Sequence, residues 1–192
     1  MKDIIKIATI LPYKENYTFS KAQAAAIWVC DFFKYSEFKN TNYIFGNTNG
    51  KDYLTKNYIN ININNLKSKL SSSTNEYCKN FIEKTSDSKF DIIEIHNRPL
   101  VFNYLQNKIN TKFIIYFHND PLSMNGSRSV NERLKLLNEV DKICTVDQII
   151  GEWMVMIYGT ENLNETITFE LTDEILGEKE GLVGVPKFDP VC

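Results

Sequence analysis

Short apolar runs alternate along the chain with amphipathic stretches, and this alternation sets the expected architecture. Ile4-Ile5-Lys6-Ile7-Ala8-Thr9-Ile10-Leu11 is a β-branched run stopped by Pro12, the pattern of a buried parallel strand. After a loop over residues 12–19, Ala22, Ala25, Ala26, Val29, Phe32 and Phe33 recur at helical spacing. They predict a helix from Ser20 onward, with Ser20 or Thr18 as its N-cap. Tyr43-Ile44-Phe45 before Gly46 reads as a second strand, and the alternating Tyr58–Ile63 as a third, less buried one. A polar connection over 68–74 leads into a helix bearing Tyr77, Cys78, Phe81 and Ile82.

The next interval is the most regular. Phe90–Ile95 is a strand ending in His96-Asn97-Arg98-Pro99, a helix follows through Phe102, Leu105 and Gln106, and Phe113–Phe117 is a strand ending in His118-Asn119-Asp120-Pro121. Residues 122–128 form a loop, Val130–Leu137 a helix and Lys142–Val146 a last short strand. Strands alternating with helices predict a doubly wound α/β sheet of mainly parallel order.

Composition refines this picture at one place. Residues 1–146 carry 20 Lys/Arg against 14 Asp/Glu, whereas residues 147–192 carry 2 against 10, so a net +6 is followed by −8. Asparagine falls and glycine rises at the same point. The expected organisation is therefore one α/β domain over 1–146 and an acidic tail of unassigned character over 147–192. Lysine outnumbers arginine 19 to 3 amid abundant Asn and Ile, a genome-composition signature, so Lys/Asn density carries little functional weight. Cys30, Cys78, Cys144 and Cys192 are far apart and form no C-x-x-C, which predicts reduced thiols rather than a metal site or a disulfide framework. The N-terminal run contains Lys2, Asp3 and Lys6 and has no small-residue cleavage site, so it reads as a strand and not a signal peptide. A cytoplasmic chain is expected, with its basic surplus suited to an anionic small ligand or to a peripheral seat on the inner face of an anionic membrane. Aromatic residues form no basic stacking stripe, which argues against nucleic-acid binding.

In such a sheet chemistry gathers at the carboxyl ends of the strands, where the βα loops form a crevice at the topological switch point. Both histidines of the chain, His96 and His118, fall at such ends one crossover apart, which puts two imidazoles on one rim. The helix start near Ser20 and Lys21 is expected on the same rim, as a seat for a phosphate or carboxylate. Bland roles stand beside these. Asp120 before Pro121 suits a turn, Glu94 inside an apolar strand suits a satisfied or edge-facing carboxylate, and Ala24-Ala25-Ala26 suits close helix–sheet packing. No G-x-G-x-x-G, P-loop or G-x-S-x-G motif occurs.

Four phrases in order then carry a resemblance: the first strand with Ser20-Lys21-Ala22-Gln23-Ala24 after a long loop, Asp91–Pro99, Phe117–Pro121, and Glu139-Val140-Asp141-Lys142-Ile143-Cys144. Together they resemble the N-terminal, acceptor-side domain of family 4 glycosyltransferases, retaining enzymes whose GT-B fold pairs two Rossmann-like halves. The resemblance implies transfer of a sugar from a nucleotide-sugar donor to a glycan or lipid-linked acceptor, as in polysaccharide assembly, with the nucleotide sugar as co-substrate and no further cofactor or metal. By the same resemblance His118 is the catalytic histidine facing the donor sugar, and His96, Asn97 and Arg98 line the acceptor side. Asn119, Asp120, Ser20 and Lys21 complete the candidate substrate contacts. Two departures are plain: residues 12–20 lack the glycine pair usual near the donor phosphate, and the donor-binding half is missing after residue 146, so the chain alone is expected to be inactive. The residues leave two other readings open. One is a small metal-dependent hydrolase using His96, His118 and Asp120; the other is a non-catalytic flavodoxin-like module binding an anion at the Ser20 helix end.

Overall fold

The computed structural model describes residues 4–63 and 72–145. Among the described residues six strands form one parallel sheet: β1 (Ile7–Ile10), β2 (Asn42–Gly46), β3 (Tyr58–Asn60), β4 (Ile92–His96), β5 (Lys112–Phe117) and β6 (Lys142–Thr145). Their spatial order is β3-β2-β1-β4-β5-β6, with every neighbouring pair parallel. The chain thus winds outward from β1 in one direction, then from β4 in the other. This is a Rossmann-like doubly wound sheet, and its switch point lies between β1 and β4. The expected fold class holds, with a wholly parallel sheet.

Among the described residues four helices cover the sheet: α1 (Ala24–Tyr35), α2 (Ser73–Thr85), α3 (Pro99–Leu105) and α4 (Val130–Glu139). Successive strand residues point to opposite faces. One set, with Ala8, Ile10, Phe45, Ile93, Ile95, Ile115 and Phe117, packs against Tyr77 and Phe81 of α2, Phe102 and Leu105 of α3 and Leu136 of α4. On the other face Ala26, Val29 and Cys30 of α1 pack on Leu11, Ile44, Tyr17 and Tyr58. Ala25 and Ala26 are buried beneath the helix, whereas Ala24 is exposed and takes no part in that packing. The opposite-face set includes Thr9, Glu94, His96 and Tyr116, so the polar strand residues lie on the α1 side.

Several boundaries differ from the pattern. Pairing of β1 starts at Ile7, and Ile4 is 72% exposed; β4 begins at Ile92, and β3 ends at Asn60. The largest correction concerns α1. It begins at Ala24, not Ser20, and its N-cap Gln23 makes no side-chain cap. The Thr18 carbonyl takes the N–H groups of Lys21 and Ala22 in a separate turn, so neither Thr18 nor Ser20 caps the helix. The cap comes instead from Glu15, whose carboxylate accepts the Ala26 N–H at 3.0 Å. Cys30 and Cys78 are buried and Cys144 half-buried, all as free thiols. Among the described residues no helix is long and apolar enough to cross a membrane. Val146, Cys192 and the 147–192 tail lie outside the described residues.

Candidate functional site

The carboxyl ends of β4 and β5 carry His96 and His118, and parallel pairing brings them together. His96 is the last residue of β4, opposite Tyr116, and His118 follows β5 directly. Their rings stack with centroids 5.1 Å apart, and His96 Nδ1 lies 2.7 Å from His118 Nε2. Asn97 holds this junction from below. It takes a left-handed backbone at φ 51°, and its Oδ1 accepts the His118 N–H at 2.7 Å, while its own N–H donates to the Tyr116 carbonyl. Asn tolerates that conformation better than other side chains except Gly.

Three aromatic contacts enclose the pair. Tyr116 stacks on His96 at 4.8 Å, and Trp28 of α1 meets the edge of His118 at 5.1 Å and lies 5.9 Å from His96. His96 is 1% exposed, whereas His118 keeps an open side. Burial pushes both imidazoles down, His96 well below its ordinary range with the neighbouring His118 adding to the effect, and His118 to about 4. Both rings are therefore neutral at physiological pH.

Neutrality leaves one proton for the contact, and burial selects its direction. A neutral imidazole has one N–H and one lone pair, and His96 Nε2 is buried with no partner among the described residues. An orphaned buried donor costs more than an orphaned acceptor, so the proton sits on His96 Nδ1, which donates to His118 Nε2. The remaining His118 nitrogen, Nδ1, then carries its proton. The site so holds one N–H on the half-buried His118, set by a buried relay.

A second polar chain lies beneath, on the same face. The Thr9 hydroxyl is 2.7 Å from Glu94 Oε2 and 2.9 Å from Asn42 Oδ1. One hydroxyl proton serves only one acceptor. Burial lifts the Glu94 carboxyl to about 6, and the Thr9 hydroxyl donating to Oε2 opposes that lift by favouring the ionised form. Glu94 is thus a satisfied carboxyl in a central strand, not at an edge.

The other candidate residues are dispersed. Arg98 lays its guanidinium over the Tyr13 ring at 5.5 Å, with a buried and unpartnered Nε. Asn119 is exposed. Asp120 Oδ1 accepts the Leu122 N–H at 2.7 Å, which makes it the cap of the Pro121–Ser123 turn. Ser20 and Lys21 are exposed in the turn before α1, and the Glu15 carboxylate occupies the helix amino end where an anion was expected. With Asp120 committed to its turn, no group of three or more metal-ligating side chains converges among the described residues. Trp28, Tyr116 and Glu15 were not singled out in the sequence. Tyr116 was accessible, since it lies two residues before His118 on one strand face; Trp28 and Glu15 act through long-range packing that no local pattern signals.

Neither a scan against family models nor a search of curated proteins finds a match for this chain.

Proposed function

We propose that this domain is the acceptor-side half of a sugar-transferring enzyme of the GT-B type, with His118 as the residue that touches the transferred sugar. The single observation that carries the proposal is the paired imidazoles at the carboxyl ends of β4 and β5, whose assigned protonation leaves one neutral N–H on the half-buried His118. A sugar hydroxyl accepts such a donor, and the relay through buried His96 holds it in place before the ligand arrives. Preorganised donors of this kind act chiefly by stabilising the transition state. His96 and Asn97 are buried, at 1% and 6% exposure, so their part in this reading is to position His118 and not to touch the acceptor. Because His118 stays neutral down to about pH 4, it works as a hydrogen-bond donor rather than as an imidazolium acid.

Transfer on this reading also needs a donor-binding half. The test therefore fuses residues 1–146 to such a half from a family 4 enzyme and follows transfer from a radiolabelled nucleotide sugar. His118→Ala should lower turnover by about 10²–10³, the usual loss for one oriented donor, with Tm within a few degrees of the parent. Full activity in His118→Ala contradicts the proposal, and unfolding of that variant makes His118 a structural cap.

A further inference from the structure

The crevice has a second concave feature on the α2 side of the sheet. Tyr13, Lys14, Asn16, Asn47, Asn49 and Ser73 line an open recess of about 250 Å³ beyond the ends of β1 and β2. Its polar groups keep spare capacity. Asn47 Nδ2 donates to the Tyr13 carbonyl at 2.9 Å, which leaves Oδ1 as an acceptor without a partner among the described residues. Asn16 Oδ1 accepts the Asn49 N–H at 3.2 Å, which leaves its Nδ2 as a donor without a partner among the described residues. Among the described residues the Lys14 ammonium makes no ion pair. The Tyr13 ring is held between Tyr77, at 6.0 Å, and the Arg98 guanidinium, so one wall of the recess is fixed.

Donors and acceptors side by side match hydroxyl groups, which both give and take hydrogen bonds. They match an anion less well, because an anion brings no donor to the Asn47 acceptor. The volume lies below the roughly 300–1,000 Å³ of pockets for drug-sized ligands, which suits one sugar ring. We propose that this recess is a saccharide subsite holding a single neutral ring of a glycan. Its use as the acceptor site rests on the transfer reading above; binding itself does not. The recess lies beyond β1 and His118 beyond β5, strands whose axes are two spacings or about 10 Å apart. A ring bound there is therefore not the reacting one, and the acceptor is an oligosaccharide rather than a monosaccharide.

The experiment titrates the ¹⁵N-labelled full chain with methyl glycosides of glucose, galactose, mannose and N-acetylglucosamine, and separately with inorganic phosphate, while amide shifts are recorded. At least one glycoside should move the Asn16, Asn47 and Asn49 resonances with a Kd of about 1 mM, as expected for one small ring. Lys14 and Asn49 are exposed, so their substitution leaves folding intact. Lys14→Ala/Asn49→Ala should weaken binding by about tenfold through lost hydrogen bonds, with Tm unchanged, and His118→Ala should bind normally. The proposal is overturned if no glycoside moves these resonances at about 50 mM, far above that Kd, or if phosphate alone moves them, which marks an anion site. Binding here together with no transfer by the fusion defeats only the transfer reading; transfer without these shifts defeats only the recess.

Discussion

Asn97 is the residue on which the geometry of the site turns. Its left-handed backbone redirects the chain from β4 toward α3, and its side chain fixes the first residue after β5. Asn97→Gly should keep the conformation and lose one hydrogen bond, and Asn97→Ala should lose the bond and add strain. Ala is expected to be the less stable of the two by about 1 kcal/mol in urea unfolding; equal stabilities contradict the assigned backbone role. Glu94 gives a pH signature of opposite sign to the histidines. Its folded pKa is raised from 4.5 to about 6, so its contribution is fully present below pH 4.5 and lost as pH rises through 6. Glu94→Gln should therefore gain about 2 kcal/mol over the parent above pH 7 and show no gain near pH 4.5, read from urea midpoints. The imidazoles have depressed folded values, so their stability is present above 6.5 and lost as pH falls toward 4.

At the scale of elements, the strands were legible and the helix starts less so. Runs such as Phe113–Phe117 are β-branched or aromatic and bounded by turn residues, so their ends follow from local chemistry. The two histidine positions came from the same reasoning, because strand order alone places them side by side. The start of α1 did not follow, since Glu15 caps it from eleven positions before Ala26 and the intervening turn uses the Thr18 carbonyl. Glu15→Ala should cost about 1 kcal/mol, the usual value of a lost N-terminal cap, and Glu15→Gln less, because it keeps an acceptor. Helix α4 is the contrast: Ser129 and Glu132 form a capping box within four residues, a signal written wholly in local sequence.

Across the whole molecule, the winding reversal between β1 and β4 decides what meets what. It sets the β1 loop with Tyr13 and Glu15 beside Arg98, and it leaves the histidine pair on the α1 face and the amide-lined recess on the α2 face of one rim. Sequence reasoning reached the sheet and the rim but not this division. The division depends on which face each loop crosses, and on Trp28 reaching across from α1 to close over both rings. Central strands β1, β4 and β5 should show the slowest amide exchange, with edge strands β3 and β6 faster; a fast β4 is incompatible with a site anchored on its end.

The most direct measurement is a ¹H–¹⁵N correlation of the imidazole nitrogens in the full chain, followed from pH 8 to about pH 5. Both rings should stay neutral throughout, each protonated at Nδ1, with His118 Nε2 shifted as a hydrogen-bond acceptor. A ring that titrates near 6.5, or a proton found on His118 Nε2, contradicts the relay and removes the His118 donor on which the functional reading depends.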